Sequence, residues 1–240
     1  MLKRGLNSIQ LKYLALAFML CDHLWATIIS GNDWLTNIGR LAFPIFAFQL
    51  VEGYFHTSDY KKYCKRLFIF ALISEIPFNL MLESSIIFPF HQNVMFTMLI
   101  GLIAIHNIEL MKEDFKFKYF AMVALMAILS IITFPDYGFT GFLTIMLFYI
   151  TRDIPYSKVF QLAGMLYLHW FSFEGRYMII NLFGHTFEIA SQAFAVLSLI
   201  FIWLYNGENG TKNKYVRTFA YWFYPVHMLC LYLIAMMTSL

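Results

Sequence analysis

The stretch Lys12-Tyr-Leu-Ala-Leu-Ala-Phe-Met-Leu-Cys-Asp22-His23 lies inside the first long apolar run of the chain. An acid and an imidazole side by side in such a run are costly to bury. Ionisable groups within a membrane segment are functional candidates by default. Whether this run is a membrane segment is decided by the rest of the chain. Of 240 residues, 60% are hydrophobic and 13% charged, against about 25% charged in soluble domains. That deficit predicts a polytopic membrane protein: an all-α transmembrane bundle forming one domain over residues 1–240. Aromatic residues, 20% of the chain, suit lipid-facing and interfacial positions. A net charge of +3 is too small to argue for nucleic acid as a partner; the lipid bilayer is the expected surrounding.

Cys21, Cys64 and Cys230 are far apart and have neither metal-ligand nor disulfide-framework spacing. No metal is expected. Lys3 and Arg4 precede the first run as in a signal peptide, but the run is long, contains Asp22-His23, and is followed by no small-x-small cleavage site. It is read as an uncleaved span.

A span needs about 20 apolar residues. The candidate runs are 9–29, 38–55, 63–82, 94–110, 119–134, 139–150, 159–171, 187–205 and 218–238. The sixth and seventh are short enough to be re-entrant, and the semi-polar stretch Ser172 to Thr186, with Glu174, Arg176 and His185, reads as interfacial or re-entrant. Lys and Arg alternate from loop to loop. The N-terminus and the second, fourth, sixth and eighth loops are basic; the first, third and fifth have no positive residue, and the seventh has only Arg176. Under the positive-inside rule this predicts nine spans, a cytoplasmic N-terminus and an outside C-terminus.

Orientation assigns depths. An outer cluster would hold Asp22, His23, Arg40, Glu75, Asn93 and Asp136. An inner one would hold Glu52, His56, Arg66, the Tyr205-Asn206-Gly207 turn and Tyr224, with His227 between them. Lys12 and His23 are eleven residues apart, close to three helical turns, so they share a stripe with a separation of roughly 16 Å. Tyr221, Tyr224 and His227 follow at i+3 on one face. Against these stand plainer readings. Arg40 with Asp22 or Glu75 also reads, with less weight, as a structural ion pair fixing helix order. His91, His106 and His169 read as interfacial or core groups, the Tyr221-to-Tyr224 aromatics as packing, and the Asn209-Gly-Thr211 sequon as incidental in a cytoplasmic loop.

These residues resemble the TraX family of integral membrane proteins. The matching stretches are Lys12 to His23, Gly39-Arg40-Leu-Ala-Phe-Pro-Ile-Phe, Glu52-Gly53-Tyr54, Lys62-Tyr63 to Arg66, Ser74-Glu75-Ile-Pro-Phe78 and Asn93 to Thr97. Asp136-Tyr137-Gly138, Leu204 to Gly207 with Gly210, and Phe223-Tyr224-Pro225-Val-His227 follow in order. The Lys158 to Thr186 region carries no such feature. The family's named member N-acetylates the N-terminus of a conjugative pilin. The Lys12–His23 spacing is also similar to the Arg/Lys-then-His signature of wider membrane acyltransferases, including acyltransferase family 3. The resemblance implies a multi-pass protein of a bacterial cytoplasmic membrane, an acetyl-CoA or other acyl-CoA donor bound from the cytoplasm, and a peptide or glycan acceptor.

Acyl transfer needs a group to take a proton from the attacking amine or hydroxyl, and positive or hydrogen-bonding groups at the developing oxyanion. His23 is the expected general base, with an acyl-His intermediate as the second route. Asp22, about 100° round the helix, serves either His23 or Arg40. Lys61, Lys62, Lys65 and Arg66, with Lys212, Lys214 and Arg217, are candidates for the donor's phosphates, and the Asn206-Gly207 turn could offer backbone N–H groups. The donor is expected to enter at the inner cluster and its thioester to reach His23 across the membrane. The rival class is a proton-coupled transporter or channel built on Asp22, His23, Arg40 and Glu75, against which no inverted repeat is visible.

Overall fold

A computed structural model describes residues 5–171, 176–182, 185–211 and 213–238. Lys3, Arg4, Glu174 and Lys212 lie outside the described residues. The chain is mostly helical: α1 (Ser8–Thr27), α2 (Asp33–Gly39), α3 (Ala42–His56), α4 (Tyr60–Glu83), α5 (Val94–Glu113), α6 (Phe117–Ile132), α7 (Gly138–Ile150), α8 (Ser157–Leu166), α9 (Ser198–Trp203) and α10 (Lys214–Thr238). Among the described residues two helical stretches, Val94–Glu113 and Thr218–Thr238, against the nine spans expected, are long and apolar enough to cross a membrane by length and composition.

Most expected runs become helices within a few residues of their sequence bounds, and two do not. The run 38–55 is broken, with turn residues Arg40 and Leu41 between α2 and α3. Pro44 explains the break. It has no N–H for a bond to the Arg40 carbonyl and its ring crowds that oxygen, so it is tolerated only in the first turn of a helix restarting at Ala42. The supposed polar loop before it is in part α2.

The second correction is to the all-α reading: the semi-polar stretch read as interfacial or re-entrant and the first residues of the eighth run, 187–205, contribute two strands. Tyr177–Leu182 (β1) and His185–Ala190 (β2) pair as an antiparallel hairpin, with Tyr177 opposite Ala190 and Leu182 opposite His185. A 3₁₀ run, Ser191–Leu197, separates it from the short α9. Ile179, Ile180, Thr186 and Ile189 are β-branched, which suits a pleated surface and costs χ1 freedom in a helix. The seventh run likewise ends in a π-helical turn, Tyr167–Phe171.

The chain forms two compact units: Met1–Phe46 with Asp153–Leu240, and Ala47–Arg152. In the first, α1 opens with a capping box: Asn7 Oδ1 accepts from the Gln10 N–H and Gln10 Oε1 accepts from the Asn7 N–H, both at 3.0 Å. Two helix-end donors are thereby satisfied. The same end is tied to the segment before α10. Leu6 N–H donates to Leu204 O (2.7 Å), Asn206 N–H to Leu6 O (2.9 Å) and Ser8 N–H to Glu208 O (2.8 Å). Gly210, at φ +80°, lies against Asn7, where a Cβ would come within 2.6 Å of Oδ1. From this tie α1 and α10 run in the same direction. Tyr13 stacks on Phe219 and donates to Val216 O, Lys12 lies over the Tyr221 ring, and further along His23 meets His227.

In the second unit, Asn93 holds α4 to α5. Its Oδ1 caps α5 by accepting from Met95 N–H (3.1 Å), and its Nδ2 donates to Ala71 O (2.8 Å) and Glu75 Oε2 (2.5 Å). The fully buried side chains Phe78, Leu102, Ile105, Ile145 and Phe148 fill its core.

A candidate acyl-transfer site on the first helix

Near the C-terminal end of α1 the first unit brings Asp22, His23 and Arg40 of the expected outer cluster together with Tyr224 and His227. His23 Nδ1 lies 2.6 Å from His227 Nε2. The ring planes are 6° apart with centres at 4.8 Å. A face-to-face stack keeps atoms near 3.5–4.0 Å, so nitrogens at 2.6 Å mean that the rings meet edge to edge, in the geometry of a hydrogen bond. His227 is buried, its Nδ1 is 2.7 Å from the Phe223 carbonyl one turn back, and the Phe223 ring covers one of its faces at 4.7 Å. Tyr224, also buried, has its ring centre 6.5 Å from that of His23 and 6.0 Å from that of His227. It belongs with the two histidines rather than with the inner cluster where its depth had placed it. Pro225 sits inside α10 between these groups.

Asp22 turns to a different neighbour. The Thr36 hydroxyl donates to its Oδ1 at 2.6 Å, Arg40 Nη2 stands 3.5 Å from that oxygen, and the same Nη2 donates to Thr36 Oγ1 at 2.9 Å. Thr36 and Gly39 are buried on α2, and this face packs on Asp22. Of the two open roles, partner to Arg40 is the one with these contacts. Thr36 was not singled out from the sequence, where it looked like part of a polar loop.

Lys12 and His23 both face α10. Their separation along α1, roughly 16 Å by helical rise, keeps the ammonium, 5.5 Å from the Tyr221 ring centre, away from the imidazole. Beyond the C-terminal end of α1, Arg176 lies over the Trp25 ring at 4.4 Å and meets Asp33 at 3.4 Å, while Asn37 Nδ2 donates to Met178 Sδ at 3.1 Å. The base of the hairpin therefore rests on α1 and α2.

The other expected residues fall in separate places. Glu75 and Asn93 bond each other as described. The Thr97 hydroxyl donates to the Asp136 carbonyl, and the Asp136 carboxylate faces His91 at 3.7 Å, with Glu83 on the other ring nitrogen at 3.6 Å. His91, read as an interfacial or core group, therefore sits between two carboxylates. The Asp136 hydrogen bond is the foremost cause holding its imidazole above the ordinary pKa, with burial opposing and Glu83 adding.

Glu52 Oε1 receives Arg152 Nε at 2.7 Å, with His56 at 3.8 Å, and the Arg152 guanidinium covers the Phe55 ring at 4.3 Å. Arg152 was read only as a topology marker. A loop charge carries no signal of the helix it will meet. Lys112 is a similar case: it shares Glu109 with the Tyr149 hydroxyl. His106, read as a core or interfacial group, stacks on Tyr60 and bonds the Tyr54 hydroxyl.

Of the proposed phosphate ligands, Lys61, Lys62, Lys65 and Arg66 are exposed at the start of α4. Lys62 is shared with Asp59 at 3.1 Å and Arg66 lies over the Tyr63 ring. In the Asn206-Gly207 turn, Asn206 N–H is bonded to Leu6 O and Glu208 N–H to Asn206 Oδ1. The first amide fastens the segment before α1 and the second closes the turn on itself. Lys214 and Arg217 contribute backbone at the start of α10.

Residues 8–235 match the family described as TraX protein. The chain belongs to the TraX family. It is also similar to the "Probable fimbrial assembly protein FimC, serogroup H1" of Dichelobacter nodosus, with 27% identity over 234 residues, covering 92% of this chain and 93% of that protein. No solved structure matches the chain. Every residue of the His23–His227 and Asp22–Thr36–Arg40 groups lies within the matched TraX range.

Proposed function

We propose that the chain is an integral membrane acyltransferase that moves an acetyl group from acetyl-CoA to an amine or hydroxyl of a peptide or glycan acceptor, with the His23 imidazole as general base. The observation that carries this reading is the His23–His227 contact of 2.6 Å. An imidazole inside an apolar helix is held by a second imidazole, itself held by a backbone carbonyl, as a base needs to be held. The family's association with pilin acetylation, and the fimbrial assembly name of the Dichelobacter relative, favour the N-terminal amine of a pilin-like peptide as acceptor.

In the reaction, His23 takes a proton from the acceptor amine as its nitrogen forms a bond to the thioester carbonyl carbon. The oxyanion formed then collapses, the C–S bond breaks, and the imidazolium returns its proton to the departing thiolate. The products are the acetylated amine and free CoA. Arg40, anchored by Asp22 and Thr36, supplies fixed positive charge to the same cluster. The four exposed cations Lys61, Lys62, Lys65 and Arg66 suit the phosphates of CoA by charge.

The alternating loop charges favour a multi-pass protein of the bacterial cytoplasmic membrane with its N-terminus in the cytoplasm. The parallel course of α1 and α10 supports termini on opposite faces.

The test is acetyl transfer from acetyl-CoA to a peptide with a free α-amino group, in purified protein. His23→Ala should reduce turnover by about 100-fold or more. It should leave thermal stabilisation by acetyl-CoA in place, since linkage stabilisation needs only binding. Unchanged turnover in His23→Ala overturns the reading.

A further inference from the structure

The contacts around His227 determine where each proton of the pair must sit. A carbonyl oxygen only accepts hydrogen bonds. With the Phe223 carbonyl 2.7 Å from His227 Nδ1, the hydrogen of a neutral His227 ring is on Nδ1. Its Nε2 is then an acceptor, because a neutral imidazole carries one N–H and one lone pair. That acceptor lies 2.6 Å from His23 Nδ1, so the hydrogen between the rings belongs to His23. In a neutral His23 ring the remaining nitrogen, Nε2, then holds the lone pair.

We infer that His227 is a positioning residue that acts through His23: by accepting from Nδ1–H it makes Nε2 the atom that takes the acceptor's proton. This rests on the transferase reading above. The orienting group at the end of the chain of bonds is a carbonyl in place of the carboxylate common in such arrangements. Asp22, the obvious carboxylate by sequence, is bonded to Thr36 and faces Arg40. The choice suits an apolar span. With each ring carrying one N–H the pair is uncharged, and a neutral hydrogen-bonded pair escapes the desolvation penalty of a buried ion pair.

When Nε2 accepts a proton, the hydrogen on Nδ1 can pass to His227 Nε2, leaving His227 with both nitrogens protonated and its Nδ1–H still donating to Phe223. The added proton is conserved and its charge is shared over two rings. The Phe223 side chain against one face of His227 and the burial of His227 keep the acceptor nitrogen aimed at His23.

The experiment is ¹⁵N NMR of the ¹⁵N-histidine-labelled full chain in detergent at neutral pH, with His23 assigned from its loss in His23→Asn. His23 should show a protonated Nδ1 and an unprotonated Nε2. His227→Gln, whose Oε1 can accept the same hydrogen, should retain that pattern. His227→Phe, which cannot, should lose it, with kcat at least about 100-fold below wild type and the KM for acetyl-CoA unchanged. Wild-type His23 protonated on Nε2 overturns the inference without any variant having to fold, as does a His227→Phe protein with wild-type kcat. The Nδ1–H pattern in a wild-type protein that transfers no acetyl group would support the proton arrangement and overturn only the transferase reading beneath it.

Discussion

Gly39 of α2 lies directly against Asp22 of α1: a Cβ built on Gly39 would fall 2.9 Å from both the Cα and the Cγ of Asp22. This close approach lets Thr36 of α2 and Arg40 just past its end, four residues on, reach the Asp22 carboxylate together. Replacing Gly39 with Ala should push α2 from α1 and cost about 1–3 kcal/mol, the usual range for overpacking. Gly31→Ala is the control, since nothing lies within 4 Å of a Cβ there. Thermal midpoints in detergent compare them; equal midpoints would refute the close-packing account.

Asp22 and His23 are neighbours in sequence with different partners, so their substitutions should separate. Asp22→Asn leaves Arg40 without its anion and should lower both stability and acetyl transfer, while the Nδ1–H pattern of His23 stays as in wild type. A change in that pattern would mean that Asp22 acts on the imidazole after all.

Glu52 and Arg152 join the ends of α3 and α7 with both side chains mostly buried, at 15% and 24% exposure. Hydrogen bonds to charged groups contribute about 1.5–3 kcal/mol. A double-mutant cycle of Glu52→Gln and Arg152→Met should give a coupling of about 2 kcal/mol; independent effects would show the pair to be incidental.

His91 predicts a pH dependence with a defined sign. Its folded pKa is raised, chiefly by the Asp136 hydrogen bond, with Glu83 assisting and burial opposing. A raised pKa contributes stability that is fully present below the unfolded value, about 6.5, and fades as pH rises through the folded value. The wild-type advantage over His91→Asn should therefore be larger at pH 5.5 than at pH 8.5. With a third of the side chain exposed, screening keeps the effect below about 1 kcal/mol. A difference that grows with pH would overturn the assignment.

The sequence by itself determined the apolar runs, the ends of most helices and the unusual character of Asp22-His23, because span length, loop charge and breakers such as Pro44 act locally. Periodicity also placed Tyr221, Tyr224 and His227 on one face and Lys12 with His23 on another. Loop charges give an expectation of depth, but they carry nothing of the azimuth at which one helix faces another, and Tyr224 stands beside His23 and His227 rather than in the inner cluster. Only the tertiary structure decided that His23 meets His227, 204 residues away, that Asp22 turns to Thr36 and Arg40, and that Arg152 is the partner of Glu52. The hairpin that precedes the 3₁₀ run and α9 was decided there too. Its strand satisfies backbone donors and acceptors with another segment, and such a partner cannot be read from the alternation of one short run. For the same reason, a single helix could nominate His23 as a base, whereas the nitrogen that serves depends on a carbonyl of α10.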